Sequence, residues 1–337
     1  MRFLKRESAS SVDPDFGMFW GWWTGFRDVI AAAIDNRSLD DRIVKEISAA
    51  VDRLCKGMAW ELAPGRSAKH AFCLTPEGDA EKRPIALRWL ASAPQPDTTW
   101  EYYASRQPSS LTTLNIGGHS IDLTEMRAIA GWDAARQRLD VRLWHPVFPS
   151  LSDEVRGTVP FLFLDELLGE DDVERWVGQV DMLDKPIGGR TPDELRAELD
   201  RRRREADGQS WVLAQRTDRQ GSVAIVSVNV ALKQIDYPFA DHVLRIDVDL
   251  GRGRMPDDAL AGRLNAAEDD LRTRIGPAAI YAGRSTEPGR RSMFFATAEP
   301  DAVRTAADAW ARALDGIRAR VEVNRDPRWS FQKELIG

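Results

Sequence analysis

Residues 278–298 read AAIYAGRSTEPGRRSMFFATA, and this stretch decides the fold of the C-terminal half of the chain. Its two largely apolar runs, Ala278–Arg284 and Ser292–Ala298, have the length and composition of β-strands. The loop between them contains Gly289, and a glycine readily adopts the positive φ that a tight hairpin turn requires. The stretch therefore predicts a β-hairpin within a sheet.

The segments on either side of this hairpin complete a familiar order of elements. The sequence predicts a strand and a helix before it, and a helix and a strand after it: His242–Leu250, Asp257–Ile275, Pro300–Asp315 and Arg318–Val323. Strand, helix, strand, strand, helix, strand is the order of the split βαβ, ferredoxin-like fold. An earlier hairpin, Trp211–Arg216 with Ser222–Asn229, is expected to extend the sheet, and a short helix is expected near residue 330.

The sequence FWGWW at residues 19–23 lies in a predicted amphipathic helix, Phe16–Asp35. Its bulky apolar residues recur every three or four positions, which indicates a helix that packs against the protein's own sheet. Arg27 and Asp28 interrupt the apolar run, so this helix is not expected to span a bilayer. Trp22 lies off the apolar stripe and is kept as a candidate contact to a second domain, another subunit or a ligand.

The rest of the N-terminal region mixes helices with short strands. The main expected elements are a helix Leu39–Leu54 capped by Ser38, a hairpin Met126–Asp133 with Arg138–His145, a helix Ser152–Leu168 and a strand Val173–Leu183. The predicted fold class is therefore α+β, with one α+β domain at residues 1–183 and a ferredoxin-like domain at residues 209–337.

Residues 184–208 are predicted to form a charged helical linker between these domains. Thr191, Pro192 and Glu194 have the spacing of a capped helix start. Acidic neighbours offset the run Arg201–Arg204, which favours a solvated helix. The alternative is an arginine strip that contacts RNA.

The amino-acid composition excludes several classes of protein. The chain has 337 residues, of which 43% are hydrophobic and 30% charged, and a prior of about 150 residues per domain gives roughly two globular domains. The net charge of −6 argues against a general nucleic-acid binder. Two cysteines without a CxxC motif fit a reducing compartment. The start MRFLKRESASS lacks the apolar region of a secretory signal, so we expect a cytoplasmic protein that is not in a membrane.

Four features of the C-terminal half occur together. They are the strand that opens at Trp211, Gly283-Arg284 with Thr286 and Gly289, the strand Met293-Phe294-Phe295, and the tail Asp326-Pro327-Arg328-Trp329. With these features the region from Trp211 onward resembles the bacterial domain-of-unknown-function family six-nine-five, whose fold relatives include the protein regulator of ribonuclease E. The resemblance implies a ferredoxin-like fold and no catalytic residues. Asp326 and Pro327 predict a helix start, and we expect Trp329 to be buried against the sheet.

Linear motifs for chemistry are missing from the sequence. The four histidines are far apart, HExxH is absent, and residues 247–258 fail the calcium-loop pattern because Gly251 occupies position 5. The sequence contains no GxxxxGK[ST], GxGxxG or GxSxG motif. Gly251–Arg254 precedes a helix, and backbone N–H groups at a helix start favour anions. An anion site at this loop is therefore kept as an alternative. We expect no metal, no cofactor and no catalytic residue.

One cluster remains as a candidate site, at the tip of the hairpin between the two central strands. It consists of Arg284, Thr286, Glu287, Arg290 and Arg291. Exposed arginines beside aromatic residues are suited to planar contacts with carboxylates. The cluster favours a non-catalytic protein-binding or regulatory module with an acidic partner, and a homo-oligomer is left open. The alternatives are a turn without function, and an enzyme or small-molecule binder with its site in the interdomain cleft.

Overall fold

The computed structural model describes residues 15–185, 188–217, 221–251, 253 and 255–336. The chain divides into two compact units, residues 1–106 and 107–337. Helices and strands are mixed in both units, which confirms the predicted α+β class. Parts of two expected features, the loop Gly251–Arg254 and the turn before Gly221, lie outside the described residues.

The described part of the first unit, residues 15–106, forms three helices and a three-stranded sheet. The helices are α1 (Phe16–Asp35), α2 (Asp41–Leu54) and α3 (Arg83–Ala91), and the strands are β1 (Ala59–Pro64), β2 (His70–Thr75) and β3 (Trp100–Tyr103). Strand β2 is central, antiparallel to β1 and parallel to β3. The apolar stripe of α1 packs into the core of this unit as predicted.

Aromatic side chains form much of this core. The ring of Trp20 stacks on that of Trp89 with centroids 4.8 Å apart, and the indole N–H of Trp23 donates to the hydroxyl of Tyr102 at 2.9 Å. Polar tips of buried aromatic residues usually require such a partner. The predicted cap of α2 is wrong: Asp40, rather than Ser38, accepts from the backbone N–H of Ile43 at 2.9 Å.

The described residues between 107 and 205 of the second unit form two small sheets and three helices. The strands are β4 (Thr113–Ile116), β5 (His119–Asp122), β6 (Arg127–Asp133), β7 (Arg138–Trp144) and β8 (Val177–Met182), and the helices are α4 (Asp153–Leu168), α5 (Glu170–Trp176) and α6 (Pro192–Glu205). Strands β4 and β5 form a hairpin, and β6, β7 and β8 form the other sheet. Leu195 and Leu199 of α6 are buried in the same core as α4. The predicted linker helix therefore packs on this core.

The predicted strand Val173–Leu183 is wrong in its first four residues, which belong to the helix α5. Gly169 has a φ of 85°, a conformation that glycine adopts readily, and it separates α4 from α5. Three acidic residues, Glu170, Asp171 and Asp172, occupy the first turn of α5, where the helix dipole favours negative charge. The strand β8 begins only at Val177.

The last part of the chain is a six-stranded antiparallel sheet with helices on both faces. The strands are β9 (Trp211–Thr217), β10 (Val223–Asn229), β11 (His242–Asp249), β12 (Ala279–Glu287), β13 (Arg290–Thr297) and β14 (Ala319–Arg325), and the helices are α7 (Asp258–Ile275), α8 (Pro300–Ala313) and α9 (Gln332–Ile336). The spatial order is β14-β11-β13-β12-β10-β9. The first four strands in this order, with α7 and α8 as crossovers, form the predicted ferredoxin-like fold. The hairpin β9–β10 extends it.

Separate apolar clusters cover the two faces of this sheet. Helices α7 and α8 pack on one face, against side chains such as Ile246 and Phe295. On the other face α9 packs with Trp329, which is buried as predicted. The indole N–H of Trp329 donates to the carbonyl of Ala240 at 2.7 Å, and the carboxylate of Asp326 accepts from the backbone N–H of Ser330. The domain boundaries predicted from the sequence, 1–183 and 209–337 with a linker between them, stay a prediction.

Candidate binding surface

The hairpin at residues 278–298 has longer strands than the sequence predicted. Strand β12 continues to Glu287 and β13 begins at Arg290, so that these two residues are paired and only Pro288-Gly289 form the turn. Gly289 has a φ of 90°, and a Cβ there would lie 2.8 Å from the carbonyl oxygen of Gly251. Glycine is therefore required at this turn for conformation and for space.

A bulge near the middle of β12 brings this strand close to β10. The register with β13 shifts between Tyr281 and Gly283. A Cβ on Gly283 would lie 2.4 Å from the carbonyl oxygen of Ser227, and no side chain fits in that space. The bulge fixes the position of Tyr281 and Arg284 on either side of it.

Two of the five predicted hairpin residues are buried, so the expectation of an exposed five-residue tip is wrong. Arg291 donates from Nε to the hydroxyl of Thr286 at 3.1 Å and from Nη1 to the amide oxygen of Asn265 at 2.9 Å. Both Arg291 and Thr286 are largely inaccessible to solvent. Their side chains lie on the α7 face of the sheet, and they hold the sheet to that helix.

Glu287 and Arg290 are more accessible but lie on the opposite face. The Nε of Arg290 donates to Oε1 of Glu287 at 2.7 Å, and Arg290 is about half exposed. Successive residues of a strand alternate between faces, which separates this pair from Thr286 and Arg291. The five predicted residues therefore do not form one patch, although Arg284 remains accessible on the α7 face.

Arg284 belongs to a charged cluster around one buried carboxylate. Glu268 of α7 accepts from the hydroxyl of Tyr281 at 2.6 Å and from Nη1 of Arg284 at 2.8 Å, and Nη1 of Arg291 lies 3.7 Å away. Burial, together with the negative charge of Glu268, raises the pKa of Tyr281. Burial and the neighbouring Arg284 lower the pKa of Arg291. One carboxylate faces two guanidinium groups, so the cluster has excess positive charge.

Trp22, the remaining predicted site residue, lies in the first unit. Its ring contacts those of Phe19, Phe26 and Trp23 at centroid distances of 5.4, 5.6 and 6.1 Å. Trp22 is partly buried by these neighbours on its own helix. Its role as a contact to a subunit or a ligand stays a prediction.

Beside Arg284 lies a surface that was not predicted from the sequence, here called the sheet strip. It is the α7-side face of β9 and β10 and consists of Trp211, Leu213, Gln215, Ile225 and Ser227. The pairing places Leu213 next to Ser227, and Ser227 next to Arg284. The ring of Trp211 stacks on Tyr281 at 5.5 Å, which fixes the strip on the same face as α7.

The sheet strip is apolar and exposed. Leu213 is 74% exposed, Trp211 45% and Ile225 42%. Isolated exposed apolar residues are ordinary, but a contiguous group of three on one sheet face is typical of an interaction site. A sequence signal was present: Trp211 to Ala214 are four consecutive apolar residues, so both faces of β9 carry apolar side chains.

A groove of about 620 Å³ lies at the Trp211 end of the strip. Its walls come from the start of β9, the end of α7 and the start of β12, and include Trp211, Tyr237, Arg272 and Tyr281. The guanidinium carbon of Arg272 lies 4.8 Å from the ring centre of Tyr281. All lining residues fall within residues 209–295, so this groove belongs to the C-terminal domain itself.

Among the described residues, no group of three or more His, Cys, Asp or Glu side chains is arranged to hold a metal ion. No helix in the described ranges has both the length and the apolar character needed to cross a membrane.

The fold and the surface together define an α+β protein whose C-terminal domain is ferredoxin-like with an added edge hairpin. Residues 209–335 match the model of a family described as a family of unknown function, DUF695. The match confirms the family resemblance predicted from Trp211 onward. No curated protein and no solved structure matches the chain. The fold relationship to the regulator of ribonuclease E stays a prediction.

Proposed function

We propose that this protein is a cytoplasmic, non-catalytic binding protein, and that its C-terminal domain binds an amphipathic helix of a partner protein on the sheet strip. The observation that carries the proposal is the exposure of Leu213, Trp211 and Ile225 on a sheet face whose other strands are covered by helices. The cytoplasmic location rests on the sequence, which has two cysteines and no CxxC motif, as is usual for proteins of a reducing compartment.

The dimensions of the strip suit a helix. Two adjacent strands are about 5 Å apart, so β9 and β10 offer a surface of about 10 Å, close to the diameter of a helix with its side chains. Helix α7 already packs on the neighbouring strands, and a bound helix would extend the same layer. Apolar residues at helical spacing on the partner would cover Leu213 and Ile225.

Charge favours an acidic partner helix. Arg284 lies beside the strip across the small side chain of Ser227, and it shares the carboxylate of Glu268 with Arg291. The excess positive charge would be offset by an Asp or Glu of the partner. Binding should therefore weaken as salt rises beyond about 0.15 M, where the Debye length falls below about 8 Å.

A peptide-display selection tests the proposal. The full-length protein is the bait. Peptides that also bind the double variant Leu213→Ser/Ile225→Ser are removed by counter-selection, because they bind outside the strip. We expect the retained peptides to have apolar residues at helical spacing with acidic residues beside them, and to bind the control Ile336→Ser unchanged, since Ile336 is 57% exposed on α9 outside the strip. Retained peptides without these features, or none that depend on the strip, would refute the proposal.

The groove favours a second candidate function, the binding of a small molecule. Its volume of about 620 Å³ is within the range of ligand sites, and its walls combine aromatic rings with the guanidinium of Arg272. A metabolite thermal-shift screen separates the two candidates. A shift that is lost in Tyr237→Ala, but kept in Leu213→Ser/Ile225→Ser, would support the small-molecule function.

A further inference from the structure

The outer edge of β9 offers a second kind of contact, made by the backbone. Strand β9 is the last strand of the six-stranded sheet, and within the described ranges it pairs only with β10. An edge strand has a row of backbone N–H and C=O groups without ladder partners. These groups are distinct from the side chains of the sheet strip.

The residues that face outward follow from one hydrogen bond. The backbone N–H of Val230 donates to the carbonyl of Ser210 at 2.9 Å. In an antiparallel pair, inward-facing and outward-facing residues alternate along the strand. Trp211, Leu213 and Gln215 therefore direct their backbone N–H and C=O groups away from β10.

This edge lacks the usual protection against strand pairing. Natural edge strands are protected by proline, lysine, inward charges or bulges. Strand β9, with the sequence WVLAQRT, contains no proline and no lysine, and its pairing with β10 has no bulge. Its one charged side chain, Arg216, donates to the carbonyl of Glu334 beside α9, on the face opposite the strip.

We propose that β9 pairs antiparallel with β9 of a second copy of this chain, about a two-fold axis at Leu213. This pairing places Leu213 opposite Leu213 of the partner subunit, and Trp211 opposite Gln215 of the partner subunit. It forms about six backbone hydrogen bonds, two for each outward-facing pair. The axis is perpendicular to the sheet, so the strips of both copies lie side by side on one face.

A second copy suits this edge better than a foreign strand because the edge is self-complementary. No charged residue lies between Trp211 and Gln215. In this register Arg216 is not opposite Arg216 of the partner subunit. Apolar side chains meet at the centre, where they are most exposed. The interface is short and below the usual 1,200 Å² or more of a stable complex, so we expect a dissociation constant of roughly 10 µM or weaker.

Sedimentation velocity of the full-length chain between about 5 and 500 µM tests the dimer. We expect the wild type and Gln215→Ala to dimerise alike, because alanine keeps the outward N–H. Gln215→Pro removes that N–H and leaves the ladder to β10 intact, so its dissociation constant should rise at least about tenfold. A monomer at every concentration, or equal dimerisation of Gln215→Pro, would overturn the proposal.

A cross-link tests the register and excludes a foreign or different pairing. In a Cys55→Ser background, Leu213→Cys should form a disulfide with the partner under mild oxidation, because directly opposed residues lie about 5.5 Å apart between Cα atoms. The control Thr217→Cys should stay a monomer on non-reducing gels, since this register places it far from its own copy. Cross-linking at 217 but not at 213 would contradict the two-fold axis. Gln215→Pro changes one polar side chain of the strip but keeps its apolar residues Trp211, Leu213 and Ile225, so loss of the dimer and loss of peptide binding are separable.

Discussion

The indole ring of Trp211 lies 5.5 Å from the phenol ring of Tyr281, at an interplanar angle of 23°. This stack joins the exposed edge hairpin to the charged cluster under α7, because the hydroxyl of Tyr281 donates to Glu268. The most exposed aromatic residue of the strip is therefore held by the same phenol that contacts the buried carboxylate. The sheet strip and the charged cluster are thus connected through one side chain.

Removing the hydroxyl of Tyr281 should destabilise the domain. Tyr281→Phe keeps the stack with Trp211 but leaves Glu268 without one donor. A hydrogen bond to a charged group contributes about 1.5–3 kcal/mol, and we expect a loss of that size in urea unfolding. Tyr237→Phe, at a residue that is 38% exposed, serves as the control and should be nearly neutral. Equal effects of the two substitutions would contradict the described role of Tyr281.

Adjacent arginines in β13 should respond differently to the same substitution. Arg291→Ala removes a buried guanidinium that donates to Thr286 and Asn265, and we expect a cost of about 1.5–3 kcal/mol, the range for a hydrogen bond to a charged group. Arg290→Ala removes an exposed partner of Glu287, and its cost should stay below about 1 kcal/mol. Chemical denaturation of both variants gives the comparison. A larger loss for Arg290→Ala would mean that the faces of β13 are assigned wrongly.

Trp329→Ala should be among the most damaging substitutions in the C-terminal domain. The indole is buried among Phe331 and Tyr237, and its N–H donates to Ala240. Truncating a large core aromatic residue costs about 3–5 kcal/mol. Trp211→Ala, which truncates a half-exposed tryptophan, should cost clearly less in the same denaturant series. An unchanged midpoint for Trp329→Ala would show that the tail does not contribute to stability.

Lys233 should make stability depend on alkaline pH. Its ammonium group lies 3.6 Å from the ring centre of Trp176 and donates to the carbonyl of Gln137. Burial, followed by the charges of Arg138 and Arg175, lowers its pKa to about 8, and Asp236 opposes this effect only in part. The folded protein therefore loses this proton at lower pH than the unfolded chain does.

The sign of the effect follows from proton binding. Between pH 8 and about 10.5 the unfolded chain holds more protons at Lys233, so this group makes unfolding less favourable as pH rises, by at most about 1.4 kcal/mol per pH unit. Urea unfolding across this window should show a smaller slope for Lys233→Met than for the wild type. Identical slopes would mean that the pKa of Lys233 is not lowered.

The C-terminal elements were predictable because their periodicity and turn residues agree. Gly289 between two apolar runs specifies the hairpin, and the order of helices and strands specifies the sheet. The short helix α5 was not predictable from Val173 onward, because a seven-residue helix spans only two turns and its apolar residues also fit a strand.

The candidate site was harder to predict than the fold. Alternation tells which residues share a face, but both faces of this sheet are covered over most of their width, so it does not tell which face meets solvent. For example, Arg291 is buried although its neighbour Arg290 is exposed, and alternation alone does not distinguish the two. The strip is exposed because α7 does not extend over β9 and β10, and that depends on tertiary packing rather than on local sequence.

The most direct test of the central claim is the affinity of one selected acidic helical peptide, measured by isothermal titration calorimetry. Leu213→Ser/Ile225→Ser should raise its dissociation constant at least about 30-fold, which corresponds to roughly 2 kcal/mol of lost apolar contact. The control Ile336→Ser should bind as the wild type does. Equal affinity of the wild type and the strip variant, with both proteins folded, would contradict the account.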